Sequence, residues 1–211
     1  HEAAAAEEAH DRGCWLAGHA RADGAVRLAL KHNFRVIYHC DYATPETIDL
    51  LEEAKDRIFL APAIGIIYAT VYEAGDWRVT PEVVERMGLI PMLEHCQKVH
   101  RELHKRGLRI LPGGDYGFAW NPNGNNARDL EHFVTMLGYT GNEVLSAATQ
   151  LGGQIMGMGD ELGLIKEGYL ADLLLIGGDP TQDVTLLQTR DNLLMIMQDG
   201  QYHKPPRPGK S

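Results

Sequence analysis

The predicted fold depends most on one stretch of the chain, Arg109-Ile110-Leu111-Pro112-Gly113-Gly114-Asp115-Tyr116-Gly117. A short apolar run ends here in a proline and two glycines, and the chain then presents a single carboxylate, Asp115. In an α/β protein a buried parallel strand delivers a polar side chain in this way at its carboxyl end, where active sites are built. Asp115 can therefore bind a metal ion or transfer a proton, or it can cap the helix that follows the turn. The stretch alone leaves both interpretations open.

Length and composition indicate an ordinary globular protein. The 211 residues suffice for one sizeable hydrophobic core, or for one domain with a small appendage. Hydrophobic residues make up 44% of the chain and charged residues 23%, as is usual for soluble proteins. The net charge of -9 argues against a nucleic-acid-binding surface and gives no indication of an anionic membrane partner. No apolar run approaches the roughly 20 residues that span a bilayer.

The cysteines and the first residues bear on the compartment and on completeness. Cys14, Cys40 and Cys96 are odd in number and lack a CxxC spacing, so neither a disulfide framework nor a thiolate zinc site is expected. We therefore expect reduced thiols and a cytoplasmic protein, and we also expect a homo-oligomer. Residues 1–10 are rich in Ala and Glu, contain no initiator Met and resemble a helix already under way. We expect the chain to begin in the middle of a larger protein.

Strand and helix patterns alternate along the first two thirds of the chain. We predict strands over 14–20, 34–39, 57–63 and 108–111, with helices over 2–12, 23–31, 44–55, 91–105, 127–137 and 140–150. Thr140 and Glu143 are spaced to form a capping box at the start of the last of these helices. Repeated alternation of this kind predicts parallel β/α units and therefore an α/β fold class. Four parallel strands are half of an eight-stranded barrel, and alone they would leave two open sheet edges.

Two further regions have a different character. The connection over 64–80 is long, and connections of this length are usually functional lids or binding loops. After residue 155 the pattern changes to short strands, including a hairpin turned by Asp199 and Gly200. We therefore predict a barrel-type domain over 1–155, a small β domain over 156–203 and a disordered tail over 204–211.

Three polar side chains stand at the ends of three predicted parallel strands: His19, His39 and Asp115. The carboxyl ends of parallel strands lie on one side of the sheet, so these side chains can converge. Two imidazoles and a carboxylate suit zinc, and a metal ion of this kind lowers the pKa of a bound water to about 7. A single strand-end histidine is more often a hydrogen-bonded pocket or core residue. The joint occurrence of all three favours a metal site.

These motifs resemble those of the amidohydrolase superfamily of metal-dependent hydrolases, in particular its imidazolonepropionase-like and prolidase-type (dipeptidase) branch. The similarity rests on Ala17-Gly18-His19-Ala20, Ile37-Tyr38-His39-Cys40 and Gly113-Gly114-Asp115-Tyr116, in that order. The segment 162–180 is similar to the return of that family's chain to a small β-sandwich. The resemblance extends from residue 1 to about residue 203.

The resemblance implies the C-terminal half of a (β/α)8 TIM-type barrel, strands five to eight, followed by part of a small β-sandwich. It implies that His19, His39 and Asp115 bind one or two divalent metal ions, with zinc expected. The family's H-x-H pair on strand one and its bridging lysine on strand four have no counterpart in this chain. We expect those ligands in a missing N-terminal half, which complete activity would require.

The implied activity is hydrolysis of an amide or related C–N bond, as in a peptidase or amidase, in a small-molecule amide or dipeptide-like substrate. Metal-activated hydroxide would attack the carbonyl, with Asp115 as general base and then general acid. Candidate substrate-binding residues are Tyr116, Tyr68, Tyr72 and Arg21. Two alternatives remain: a non-catalytic scaffold or regulatory member of the fold, and an inactive truncated fragment.

Other side chains have ordinary structural interpretations. Arg21 can pair with a substrate carboxylate or with Asp23. His100 and His104 lie four residues apart on a predicted helix, but the glutamate of an H-E-x-x-H motif is absent, so a solvated or packed face is expected. Cys40 has no visible base beyond the metal residues, and packing is expected for it rather than nucleophilic catalysis.

Overall fold

The chain forms two compact units, His1–Asn123 and Gly124–Ser211, in a computed structural model that describes residues 2–206. Residues 124–155, which the sequence assigned to the barrel-type domain, belong to the same compact unit as the C-terminal strands. Within that unit, Gln188 Nε2 donates to Glu131 Oε2 at 2.8 Å. The assignment of the two parts to a barrel half and a β-sandwich stays a prediction.

The first unit alternates helices and strands, as predicted. Its elements are α1 (Glu2–Asp11), β1 (Ala17–Ala22), α2 (Asp23–Lys31), β2 (Val36–Tyr42), α3 (Pro45–Glu53), β3 (Phe59–Ala61), α4 (Ile64–Tyr72), a 3-10 turn (Gly75–Trp77), α5 (Pro81–Arg86) and α6 (Leu89–Lys105). The strands form a parallel sheet in the order β1-β2-β3. The α/β fold class is confirmed, and within the described residues the sheet does not close into a barrel.

The predicted fourth strand is reduced to one parallel bridge between Leu60 and Ile110. Leu60 N donates to Arg109 O and Leu111 N donates to Leu60 O, both at 2.9 Å. Pairing ends there because Pro112 has no N–H to continue the ladder. The bridge nevertheless places the turn that carries Asp115 beyond the carboxyl end of the bridged segment.

The two strands that carry the histidines are longer and less regular than predicted. β1 continues to Ala22 and β2 to Tyr42, so the prediction that His19 and His39 end their strands is wrong. The pairing register shifts between Ala20 and Ala22. His39 and Cys40 have φ angles of 75° and 57°, which non-glycine residues rarely adopt. These irregularities let the strands resume pairing beyond the histidines.

The segment over 64–80 is not an open loop. Its first half is helix α4, in which Ile64, Ile66, Ile67 and Ala69 are buried. A run that is apolar on every side has no helical periodicity, and for this reason the sequence pattern did not reveal the helix.

Helices α2, α3 and α6 each bury an apolar side chain completely: Val26, Leu51 and Leu103. Ile37 of β2 and Leu60 of β3 are also completely buried. Each such side chain contributes roughly 1.5–3 kcal/mol through removal of apolar surface from water. This core supports the two strands on which the histidines lie.

The second unit has helices followed by an antiparallel sheet. Its elements are α7 (Arg128–His132), a π-helical turn (Phe133–Leu137), α8 (Gly141–Ala148), α9 (Gln150–Ile155), β4 (Leu173–Ile176), 3-10 turns over Val184–Gln188 and Arg190–Asn192, β5 (Leu193–Gln198) and β6 (Gln201–Lys204). The sheet order is β4-β5-β6. The predicted capping box of Thr140 and Glu143 is confirmed, as is the hairpin through Asp199 and Gly200, both at positive φ.

The end of the chain differs in part from the prediction. Lys204, assigned to the disordered tail, pairs with Ile196 at the end of β6, because the hairpin register extends to it. The rest of the predicted tail, 207–211, lies outside the described residues. Within residues 2–206, none of the helices combines the length and the apolar character that crossing a membrane requires.

Candidate metal centre

Two of the three predicted ligands, His19 and His39, lie together on neighbouring strands. Nε2 of His39 is 3.1 Å from Nδ1 of His19, and the ring centroids are 4.3 Å apart with planes at 63°. The register places His39 opposite Ala20, one residue beyond His19. His19 is exposed and His39 is 3% exposed, so the pair is open to solvent on one side only.

Burial sets the protonation of His39. Loss of hydration, with smaller contributions from the charges of Arg21 and His19, lowers the pKa of His39 to about 3. The ring is therefore neutral at neutral pH, which is the form that binds metal ions. Its Nδ1 faces the backbone of Pro62 without a hydrogen bond of normal geometry. An Nδ1–H on that side would leave the lone pair on Nε2, toward His19.

The spacing and chemistry of this pair fit a metal ion. Two imidazole nitrogens on one zinc ion, each at about 2.0–2.1 Å, lie about 3.3 Å apart at a tetrahedral angle, close to the observed 3.1 Å. A backbone carbonyl beside the other ring nitrogen is a usual outer partner of a ligating histidine. However, no group of three or more His, Cys, Asp and Glu side chains within residues 2–206 is arranged to hold a metal ion. The geometry of this site therefore fits a metal ion through two ligands, His19 and His39.

Asp115 lies in a turn that one buried amide holds in place. Asn121, 5% exposed, donates from Nδ2 to the carbonyl oxygens of Gly114 at 2.8 Å and of Asp115 at 3.1 Å. Asp115 itself is exposed and has a φ of 56°. The next helix begins at Arg128, with Ala127 at its N-cap, so the interpretation of Asp115 as a helix cap is wrong. As a metal ligand and proton carrier, Asp115 stays a prediction.

Asn121 is a residue that the sequence did not indicate, because residues 121–126 have the composition of an ordinary Asn/Gly/Pro loop. Its only sequence signal was an Asn before a Pro, a common loop pattern. Two aromatic residues of the same loop were also missed. The Trp120 ring centroid lies 5.5 Å from that of Phe118 and 6.2 Å from that of Trp77, and Trp120 Nε1 donates to Thr70 Oγ1 at 2.9 Å.

The candidate substrate-binding tyrosines lie on α4 and beside Asp115. The Tyr68 and Tyr72 rings are 4.9 Å apart, with Tyr72 61% exposed and Tyr68 partly buried. Tyr116 is also partly buried. Because α4 begins three residues after β3, Tyr68 and Tyr72 lie on the helix that follows the carboxyl end of a parallel strand. Their contact with substrate stays a prediction.

Arg21 has an internal partner that the sequence did not indicate. Its Nη1 donates to Oδ2 of Asp41, which is fully buried. The alternative partner considered for Arg21, Asp23, instead accepts from Arg27 Nε at 2.8 Å. Substrate binding by Arg21 stays a prediction, and its guanidinium already forms an ion pair.

The remaining candidates are structural. His100 is fully buried and donates from Nδ1 to the Cys96 carbonyl oxygen at 2.9 Å, so the packed-face interpretation is confirmed for this histidine. Cys40 is also fully buried, and burial raises the pKa of its thiol far above neutrality. A neutral, buried thiol is a poor nucleophile, in agreement with the packing interpretation.

Relatives with known sequences and structures cover nearly all of this chain, whereas the chain covers about half of them or less. Ochratoxinase of Aspergillus niger is 24% identical over 201 residues, which is 95% of this chain and 40% of that protein. A solved Xaa-Pro dipeptidase with bound methionine shares 25% identity at a TM-score of 0.78, covering 96% of this chain and 48% of that one. A putative prolidase from Bifidobacterium longum shares 24% identity at a TM-score of 0.84, covering 99% and 51%.

The sequence profile of the amidohydrolase family matches residues 3–202. This range includes the segments with His19, His39 and Asp115, on which the predicted resemblance was based. The match extends over nearly the whole chain, and this chain therefore belongs to the amidohydrolase family.

Proposed function

We propose that this chain is the C-terminal half of a hydrolase that cleaves an amide or related C–N bond in a small molecule. The observation that carries the proposal is the contact between two strand histidines, one buried and neutral, at a spacing that suits one metal ion. The dipeptidase and the putative prolidase among the solved relatives support a dipeptide-like substrate. Their greater length supports a missing N-terminal half.

In this proposal the described sheet supplies part of a larger barrel. β1, β2, β3 and the bridged segment at Ile110 would correspond to strands five to eight, and β4, β5 and β6 would belong to a small β-sandwich. The N-terminal half would close the barrel and add the H-x-H pair and the bridging lysine.

Each site residue has a distinct role in the proposed reaction. His19 and His39 would hold a divalent ion, with zinc expected, through the two ring nitrogens that face each other. Such an ion, when bound, polarises the substrate carbonyl and lowers the pKa of a coordinated water. Asp115 would accept a proton from the attacking water and then deliver it to the leaving nitrogen as the C–N bond breaks. Tyr68, Tyr72 and Tyr116 would orient the substrate.

A second candidate is an inactive fragment that folds without binding metal tightly. The observation that favours it is the lack, within residues 2–206, of a group of three metal-binding side chains. The two candidates differ in what they expect of the chain when its N-terminal half is present.

Metal analysis and turnover separate them. The chain is purified alone and together with its N-terminal half, and both preparations are assayed for transition metal and for hydrolysis of dipeptides and N-acyl amino acids. The proposed enzyme requires one or two equivalents of metal per complete barrel, and a complete barrel without metal or turnover contradicts it. Asp115→Asn should reduce turnover by about 10²–10⁴-fold with the metal retained, whereas Asp76→Asn, at an exposed aspartate of the same unit, should not.

A further inference from the structure

Each of the two strand histidines is followed, two residues later, by a charged residue. On β1, Arg21 follows His19 by two residues, and on β2, Asp41 follows His39 by two residues. The side chains of Arg21 and Asp41 form an ion pair across the two strands, in which Nη1 donates to Oδ2. One side-chain contact therefore joins the two strands immediately beyond the imidazoles.

This ion pair is well shielded from solvent. The Asp41 side chain is fully buried and that of Arg21 is 25% exposed. The Arg21 guanidinium also lies 3.6 Å from Met92 Sδ of α6, and Cys96 and His100 of the same helix lie near the Asp41 carboxylate. Charge-assisted hydrogen bonds in such surroundings are short and directional, so this one restricts the relative position of its strands.

The backbone is irregular where the ion pair forms. The register of β1 and β2 shifts between Ala20 and Ala22, and His39 and Cys40 both have positive φ. A regular ladder would fix the separation of side chains on adjacent strands through its evenly spaced hydrogen bonds. The regular ladder of β1 and β2 is interrupted directly after these imidazoles. The Arg21–Asp41 contact constrains the separation of the two strands at that point.

A purely stabilising role explains the ion pair poorly. The desolvation of two charges offsets most of their attraction, and replacing a buried ion pair by apolar groups is often neutral or stabilising. A geometric role does not depend on a net gain in stability.

We propose that the Arg21–Asp41 ion pair is a positioning device that fixes the separation of the His19 and His39 rings and, through it, their affinity for a divalent cation. The part concerning the cation rests on the proposed function. The part concerning the rings does not. The experiment therefore measures the ring contacts and the zinc affinity separately.

The test compares the full chain with a double variant, Arg21→Met together with Asp41→Leu, which replaces both charges by apolar groups. Imidazole ¹⁵N–¹H spectra report which ring nitrogen carries the proton, and nuclear Overhauser contacts report whether the His19 and His39 rings still touch. In the variant we expect the ring contacts to be lost and the protonated nitrogens to average. Zinc affinity, measured by competition with a chelating indicator, should fall about 10-fold or more.

A matched control removes another ion pair between elements. Arg106, at the C-cap of α6, pairs through Nη1 with Asp49 of α3. The variant Arg106→Met with Asp49→Asn should leave both the ring contacts and the zinc affinity unchanged. Loss of the ring contacts in this control as well would show general loosening of the unit and would overturn the inference.

The outcomes are distinct. Ring contacts that persist in the folded double variant overturn the inference whatever the zinc affinity. Lost ring contacts with no zinc binding by either protein support the part of the inference that concerns the rings. Zinc binding is then measured with the N-terminal half present, and a complete barrel that still binds no zinc contradicts the proposed function. If the double variant does not fold, Asp41→Asn decides, because the amide keeps the shape of the carboxylate and removes the charge that Arg21 pairs with. Unchanged ring contacts and zinc affinity in that variant overturn the inference.

Discussion

The turn that carries Asp115 should depend on a single side-chain amide. Asn121→Ala removes the donor that bonds the carbonyl oxygens of Gly114 and Asp115 at 2.8 and 3.1 Å. The backbone bonds of this loop, Asn121 N to Phe118 O and Gly117 N to Asn121 O, remain possible in the variant. The substitution therefore tests the amide alone.

The expected loss of stability follows from these two hydrogen bonds. Each hydrogen bond between neutral groups contributes about 0.5–1.5 kcal/mol to stability, so the free energy of unfolding of the first unit should decrease by about 1–3 kcal/mol. In the proposed complete enzyme, release of the turn should also displace Asp115, and a displacement of about 1 Å costs on the order of 10²-fold in rate.

Urea unfolding followed by tryptophan fluorescence measures the first effect. All three tryptophans of the chain, Trp15, Trp77 and Trp120, lie in the first unit, so their emission reports its unfolding. Asn123→Ala, at an exposed asparagine of the same loop, is the matched control and should change the free energy by less than about 0.5 kcal/mol. If both variants are equally stable, the argument for the Asn121 amide is refuted.

Two further predictions concern a glycine that lies against a backbone carbonyl group and a buried histidine. Gly141→Ala should destabilise the second unit by about 1–3 kcal/mol, because the new Cβ would stand 2.1 Å from the Thr181 carbonyl oxygen. Gly152→Ala in α9, where nothing lies within 4 Å of the new Cβ, should instead stabilise it by up to about 1 kcal/mol; equal thermal midpoints by circular dichroism would contradict this. Burial lowers the pKa of His100 below the ordinary 6.5, so its contribution to stability is complete above pH 6.5 and declines as the pH falls and the unfolded chain takes up the proton. His100→Gln should therefore reduce the loss of stability between pH 6.5 and 5 by up to about 1.4 kcal/mol per pH unit, and urea unfolding curves with the same pH dependence in both proteins would refute this.

Local chemistry accounts for the elements that were predicted correctly. Thr140 and Glu143 form a capping box because both partners lie within one helical turn. Asp199 and Gly200 form the hairpin turn because a two-residue turn with positive φ favours these residue types. The alternation of strands and helices in the first unit likewise depends on periodicity within short windows. Each of these features is encoded by residues that are near one another in the chain.

Contacts between distant residues decided the rest. The partner of Arg21 is Asp41 on the next strand rather than the nearby Asp23. The length of β1 beyond His19 depends on a register shift against β2, which no property of β1 alone indicates. A sequence pattern records which side chains one element can present, whereas the choice among partners is made by packing, because only the assembled sheet sets the distances over which charges and hydrogen bonds act.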